Sequence, residues 1–92
     1  MLILTRRKSK RILIGNALVV QVHEIGNKHV VVYVTDTDDN GSISATSYTI
    51  PLEGSVDIGH NTRLHNFGIS KMYDLHIKLG IDAPKTLRIT RD

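Results

Sequence analysis

The amino-acid sequence predicts an all-β domain. Short runs rich in β-branched residues alternate apolar with polar side chains, as in residues 18–25 and 86–90, and Gly, Asn, Asp or Pro separate the runs. Signals for helices are scarce. The chain has 92 residues, enough for one domain, and so short a domain buries a smaller share of its surface than a larger one. Dimerisation would therefore help to stabilise it.

Residues with special backbone preferences mark the turns between the predicted strands. Gly15-Asn16 ends the second strand, Gly26-Asn27 is a hairpin signal, and Asn40-Gly41 is the pair most favoured in a two-residue hairpin turn. Pro51 ends the fifth strand because it has no N–H to donate, and Ala83-Pro84 separates the last two. The predicted strands are residues 2–5, 11–14, 18–25, 28–35, 43–50, 73–81 and 86–90.

Residues 51–71 are the least regular part of the sequence. They contain three glycines and show little periodicity, so we predict a loop with at most one short strand. No internal repeat is visible along the chain.

The composition restricts the location and the chemistry of the protein. Cysteine is absent, which excludes disulfides and thiolate metal sites. The opening apolar run precedes its charges, the reverse of a signal peptide, and no run approaches the roughly 18 apolar residues of a membrane span. We expect a cytoplasmic protein that does not enter a membrane.

Charge is distributed unevenly. Residues 36–74 hold six acidic residues against two basic ones, whereas the rest of the chain holds ten basic residues against three acidic ones. Five basic residues crowd into six positions: Arg6, Arg7, Lys8, Lys10 and Arg11. Such a cluster suits a polyanionic partner, and a solvated basic face is the alternative.

Both ends of the chain resemble one known family. The opening MLILTRR, the LIG at residues 13–15 and the closing KLGIDAPKTLRITRD are similar to the carbon storage regulator (CsrA/RsmA) family. The likeness covers residues 1–25 and 75–92, which form a single domain with an insertion at about 26–74.

This resemblance implies a five-stranded core in which two chains interleave as a strand-swapped homodimer, the first strand of one chain lying beside the last strand of the other. It also implies binding of GGA-containing hairpin loops in mRNA leaders, with an effect on translation or mRNA stability. Enzymatic activity and cofactors are not expected. A protein antagonist or a small regulatory RNA would be a further partner.

The resemblance also assigns the RNA contacts. Side chains alternate along a strand, so Leu4 and Arg6 share a face. Arginine can fork onto guanine edges or pair with phosphate, and we expect Arg91 to contribute most. For the apolar residues a place in the core is the alternative. The predicted RNA-binding residues are Leu4, Arg6, Arg7, Ala83, Pro84, Leu87, Ile89, Thr90 and Arg91.

The sequence departs from the family pattern at several points. Ser9-Lys10 replaces a Gly-Glu pair and makes the turn more basic, and Thr90 stands where the family has histidine. The family's C-terminal helix has no counterpart after Asp92, which predicts weaker RNA binding unless the insertion covers the same surface. We expect the insertion to project as a hairpin over residues 28–50. Being acidic, it would mimic RNA, contact a protein or widen the dimer.

Two metal-like patterns are better explained without a metal. DTDDNGSISATS has part of the spacing of a calcium-binding loop, but Ser47 takes the place of the bidentate Glu and the flanks are strand formers. Asp57, His60 and His65 form the only local histidine cluster, which fits solvated loop residues better than a zinc site.

Two other function classes stay open. One is a protein-interaction or assembly module on the same scaffold that has lost RNA binding. The other is a β-ribbon that enters the major groove of DNA.

Overall fold

The computed structural model describes residues 1–71 and 75–91. Within these residues the chain is all-β, as predicted, and contains no helix. The strands are β1 (Leu2–Arg7), β2 (Arg11–Ile14), β3 (Leu18–Ile25), β4 (His29–Thr37), β5 (Ile43–Pro51), β6 (Ser55–Gly59), β7 (Thr62–Ile69), β8 (His76–Asp82) and β9 (Ile89–Arg91).

These strands form two antiparallel sheets that share one apolar core. One sheet has the order β1-β8-β7-β6, and the other has the order β5-β4-β3-β2-β9. The alternation in β4 shows how sequence sets the core, because Val30, Val32 and Val34 are buried while Tyr33 between them is exposed. The fully buried residues come from both sheets: Ile12, Ile14, Val20, Val22, Val30, Val32 and Ile50 from one, and Leu64, Ile77, Leu79 and Ile81 from the other.

The prediction of a loop over residues 51–71 is wrong. This stretch contains β6 and β7, which pair with each other across a two-residue turn. His60 and Asn61 in the turn have φ angles of 53° and 56°, as in the hairpin turns that match the twist of paired strands. Neither residue is glycine, so the turn lacked its usual sequence signal.

The hairpin predicted over residues 28–50 is present, but its position and its turn differ from the prediction. It does not project, because β4 lies between β3 and β5 and its Val30 and Val32 are fully buried. The connection runs from Asp38 to Ser42 and so exceeds two residues. Asp38 Oδ1 fixes this turn by accepting hydrogen bonds from the N–H groups of Asn40 and Ser42, both at 2.9 Å.

Other strand boundaries shift by a few residues. The first strand extends to Arg7, and the last begins at Ile89, because the Leu87 N–H donates to the Pro84 carbonyl at 3.0 Å and closes a turn before it. The strand predicted over 73–81 corresponds to β8, but residues 73 and 74 lie outside the described residues.

The two sheets repeat one connectivity. We call β1–β4 the N-terminal unit and β5–β8 the C-terminal unit. In one sheet β1 pairs with β8, which is followed by β7 and β6. In the other sheet β5 pairs with β4, which is followed by β3 and β2, so the order is the same. Each unit therefore contributes its first strand to the sheet of the other unit, within a single chain.

Details of pairing confirm that the units are equivalent. The β3–β4 ladder shifts after Val22, and the β7–β8 ladder shifts after Asn66. The turns after β1 and β5 also match, because Ser9 N–H donates to the Val22 carbonyl at 2.7 Å and Glu53 N–H donates to the Asn66 carbonyl at 2.8 Å. Ser9 and Glu53 both have positive φ, 75° and 65°. The expectation of no internal repeat is thus wrong at the level of the fold.

Only β9 falls outside this repeat. It pairs with β2, and the strand of the C-terminal unit that is equivalent to β2 is β6. Among the described residues no strand pairs with β6 on the corresponding side.

Candidate nucleic-acid interface

Strands β1 and β9 carry the two predicted arginines. Arg6 lies opposite Ile77 in the β1–β8 ladder, and Arg91 lies opposite Ile12 in the β2–β9 ladder. The strands belong to different sheets, yet the charge of Arg91 acts on Arg6. The resemblance predicted that these arginines come from two chains, and that arrangement stays a prediction.

We call Arg6 and Arg91 the arginine pair. Burial first, and then the charge of the Arg91 guanidinium, lower the pKa of Arg6 below its ordinary value. An arginine nevertheless keeps its proton at neutral pH, so both side chains stay charged. Two cations held close together repel each other, and an anion bound beside both would offset this repulsion.

Strand β9 is short, and contacts at its start fix its position. Gly15 N–H donates to the Arg88 carbonyl at 2.7 Å, one residue before the strand begins. Gly15 has a φ of 60°, and an added Cβ there would lie 3.0 Å from Cδ2 of Leu87. Ala83, Leu87 and Ile89 pack against the core. The position of Arg91 therefore depends on this anchored segment.

The predicted RNA-binding residues occupy three kinds of environment. Leu4 is buried in the core, with 9% of its surface exposed, which matches the alternative left open for it. Arg7 and Arg91 are exposed, and Arg6 is half-buried. The remaining five are half-buried: Ala83, Pro84, Leu87, Ile89 and Thr90.

Further cations surround the arginine pair in sequence and in the sheet. Arg11 stands next to Ile12, the register partner of Arg91. Arg88 was not among the predicted residues. Its contribution is the main-chain carbonyl described above. The exposed cations of these two segments are Arg7, Lys8, Lys10, Arg11, Lys85, Arg88 and Arg91.

The histidines predicted to be solvated make contacts within the protein. His60 Nε2 lies 2.9 Å from Asp36 Oδ1 and links the β6–β7 turn to β4. His65 lies on β7 and stacks on Phe67, with ring centroids 6.0 Å apart. In residues 1–71 and 75–91 no three acidic, histidine or cysteine side chains are arranged to hold a metal ion.

The described part of the chain contains no helix long and apolar enough to cross a membrane. No family model, no curated protein and no solved structure matches the chain. The likeness of its two ends to the carbon storage regulator family therefore stays a prediction.

Proposed function

We propose that this protein is a sequence-specific RNA-binding regulator that holds a GGA-containing hairpin loop of an mRNA leader on the arginine pair and so alters translation or mRNA stability. The observation that carries the proposal is the pairing of β9 with β2, which sets Arg91 opposite Ile12, the residue that follows the basic run from Arg6 to Arg11. The charge of Arg91 also acts on Arg6.

Guanine in a single-stranded loop suits this arrangement. Its O6 and N7 atoms accept two hydrogen bonds from one guanidinium group, and a loop base exposes these atoms to a protein. An arginine at the end of a strand can approach such a base without entering the deep major groove of duplex RNA. Arg91 is exposed enough for this contact, and the half-buried Arg6 adds a second cation.

The exposed cations on both sides of the pair suit the sugar-phosphate backbone. Lys8 and Lys10 precede β2, and Lys85 precedes β9. Contacts of this kind position an RNA without reading its sequence, and they make affinity depend on salt. The proposed site thus combines a reading element with a positioning element.

A binding titration tests this proposal. An RNA hairpin with GGA in its loop is titrated with the wild-type protein and with Arg91→Gln. Because one forked arginine-guanine contact contributes about 1–3 kcal/mol, we expect the substitution to weaken binding about tenfold or more. Scrambling GGA should weaken binding of the wild type and change the affinity of Arg91→Gln much less.

Arg63→Gln is the matched control, since it removes the same charge from an exposed side chain on β7 whose Nη1 donates to Ser55 Oγ at 3.2 Å. It should bind nearly as the wild type does. Equal loss in both variants, or equal affinity for scrambled RNA, would show a non-specific basic surface. Absence of RNA binding would favour an assembly module, and tighter binding to duplex DNA would favour a β-ribbon DNA reader.

A further inference from the structure

We infer that one chain is a complete binding unit with a single RNA site. The inference rests on the proposed function and adds the stoichiometry of the same site. Its basis is that the N-terminal and C-terminal units are equivalent in fold but differ at every feature that forms the site.

The first difference is at the position of Arg6. In the β1–β8 ladder Arg6 lies opposite Ile77, and in the β4–β5 ladder Ile50 lies opposite Val30, the residue of β4 that corresponds to Ile77. Ile50 is therefore the counterpart of Arg6. It is fully buried, so the C-terminal unit has a core side chain where the N-terminal unit has a cation.

The second difference is in the turn that follows. Residues 5–11 read TRRKSKR and contain five basic residues, whereas the equivalent residues 49–55 read TIPLEGS and contain none. The C-terminal turn carries an acid, Glu53, instead. A polyanion attracted to the first turn would find no attraction at the second.

The third difference is the last strand. In the N-terminal unit Gly15 N–H donates to the Arg88 carbonyl of the segment that enters β9. In the C-terminal unit the equivalent Gly59 N–H donates to the Asp57 side chain, at 2.9 Å. The Gly59 N–H is thus bonded by a side chain of its own strand, whereas the equivalent Gly15 N–H is bonded by the carbonyl of a neighbouring segment. This is one way in which an edge strand is kept from accepting another strand.

No second chain is needed to complete the site. Each unit already contributes its first strand to the sheet of the other, and β9 closes on β2 of its own chain. The homodimer implied by the resemblance stays a prediction, and the inference replaces it with a monomer. Such a protein holds one RNA loop and does not bridge two.

Native mass spectrometry with an excess of the GGA hairpin tests this inference, because it counts chains and RNA molecules in each complex. We expect free protein of one chain and a complex of one chain with one RNA, and we expect Arg91→Gln to lose that complex while remaining a single chain. Light scattering over a dilution series should give the same mass for the free protein.

Two RNAs on one chain would contradict the inference, because the C-terminal unit would then bind as well. A complex of two chains would contradict it too, even with a single RNA. Neither result would contradict the proposed function, because the protein would still bind the RNA. A single-chain mass with no complex at all would instead contradict the proposed function, and the one-site inference would be lost with it.

Discussion

At the residue scale, the arginine pair has opposite effects on folding and on binding. Burial and the charge of Arg91 both lower the pKa of Arg6, so the folded state holds its charged form at a cost. We interpret the pair as a binding feature, because a bound anion gains from both charges at once.

Arg91→Gln should therefore leave the free energy of unfolding unchanged or slightly higher, within about 0.5 kcal/mol of the wild type. The reason is that the substitution removes a repulsion and, since Arg91 is exposed, little packing. Urea unfolding followed by circular dichroism measures the change, with Arg63→Gln as the comparison. A loss above about 2 kcal/mol would mean that Arg91 is a structural residue.

No signal in the sequence indicated the structural part that Asn66 plays. This asparagine is 1% exposed, its Nδ2 donates to the Ile50 carbonyl at 2.9 Å, and its Oδ1 accepts from Gly68 N–H at 2.8 Å. It joins β7 to β5 and so links the two sheets. Nothing in a sequence distinguishes a buried, fully bonded asparagine from one in a turn, because its partners are distant main-chain atoms.

At the element scale, strands with apolar alternation could be predicted and strands without it could not. The pattern of Val30, Val32 and Val34 on β4 made that strand predictable. On β7 the inward positions after Leu64 are occupied by Asn66 and Gly68, and the β7–β8 ladder shifts after Asn66, so the apolar period of two is broken. The turn before it, lacking glycine, removed the remaining signal.

Strand β9 is the element on which the candidate site depends most. Because it has only three residues, it forms few ladder hydrogen bonds, and the contacts just before it do much to fix its position. Gly15→Ala tests them, because an L side chain is strained at its positive φ by roughly 1–2 kcal/mol and would press on Leu87. We expect a several-fold loss of RNA affinity and faster amide exchange at Thr90, with every cation retained.

Gly41→Ala is the control for this change. Gly41 also has positive φ, 83°, but an added Cβ would meet nothing within 4 Å and the turn is remote from β9 in the sheet order. Its backbone strain should be similar and its RNA affinity normal. If both variants lost affinity equally, general destabilisation would explain the effect, and the anchoring contacts would have no special part in it.

At the scale of the whole molecule, the sequence predicted the neighbours of the end strands only in part. The resemblance predicted that Arg6 of one chain meets Arg91 of another, and it treated residues 26–74 as an addition to a core formed elsewhere. In the structure these residues supply β4, β5, β6 and β7, and with them much of the core. The repeat could not be predicted from the sequence, because equivalent positions hold residues of different polarity, as Arg6 and Ile50 do.

The compactness of the chain agrees with a self-contained unit. Its radius of gyration is 12.4 Å, close to the value of about 12 Å expected for a compact domain of this length. Under the one-site inference, exchange of first strands between the two units inside one chain means that the site forms as the chain folds, at any protein concentration. A site shared between chains would instead weaken on dilution.

Mixing two defective variants tests the central claim most directly. Arg6→Gln and Arg91→Gln are unfolded together, refolded together and titrated with the GGA hairpin, beside each variant alone. Because we place both arginines of a site in one chain, we predict that the mixture binds no better than the average of its two components. Recovery of wild-type affinity in a fraction of the mixture would show that two chains build the site together, and would contradict the account.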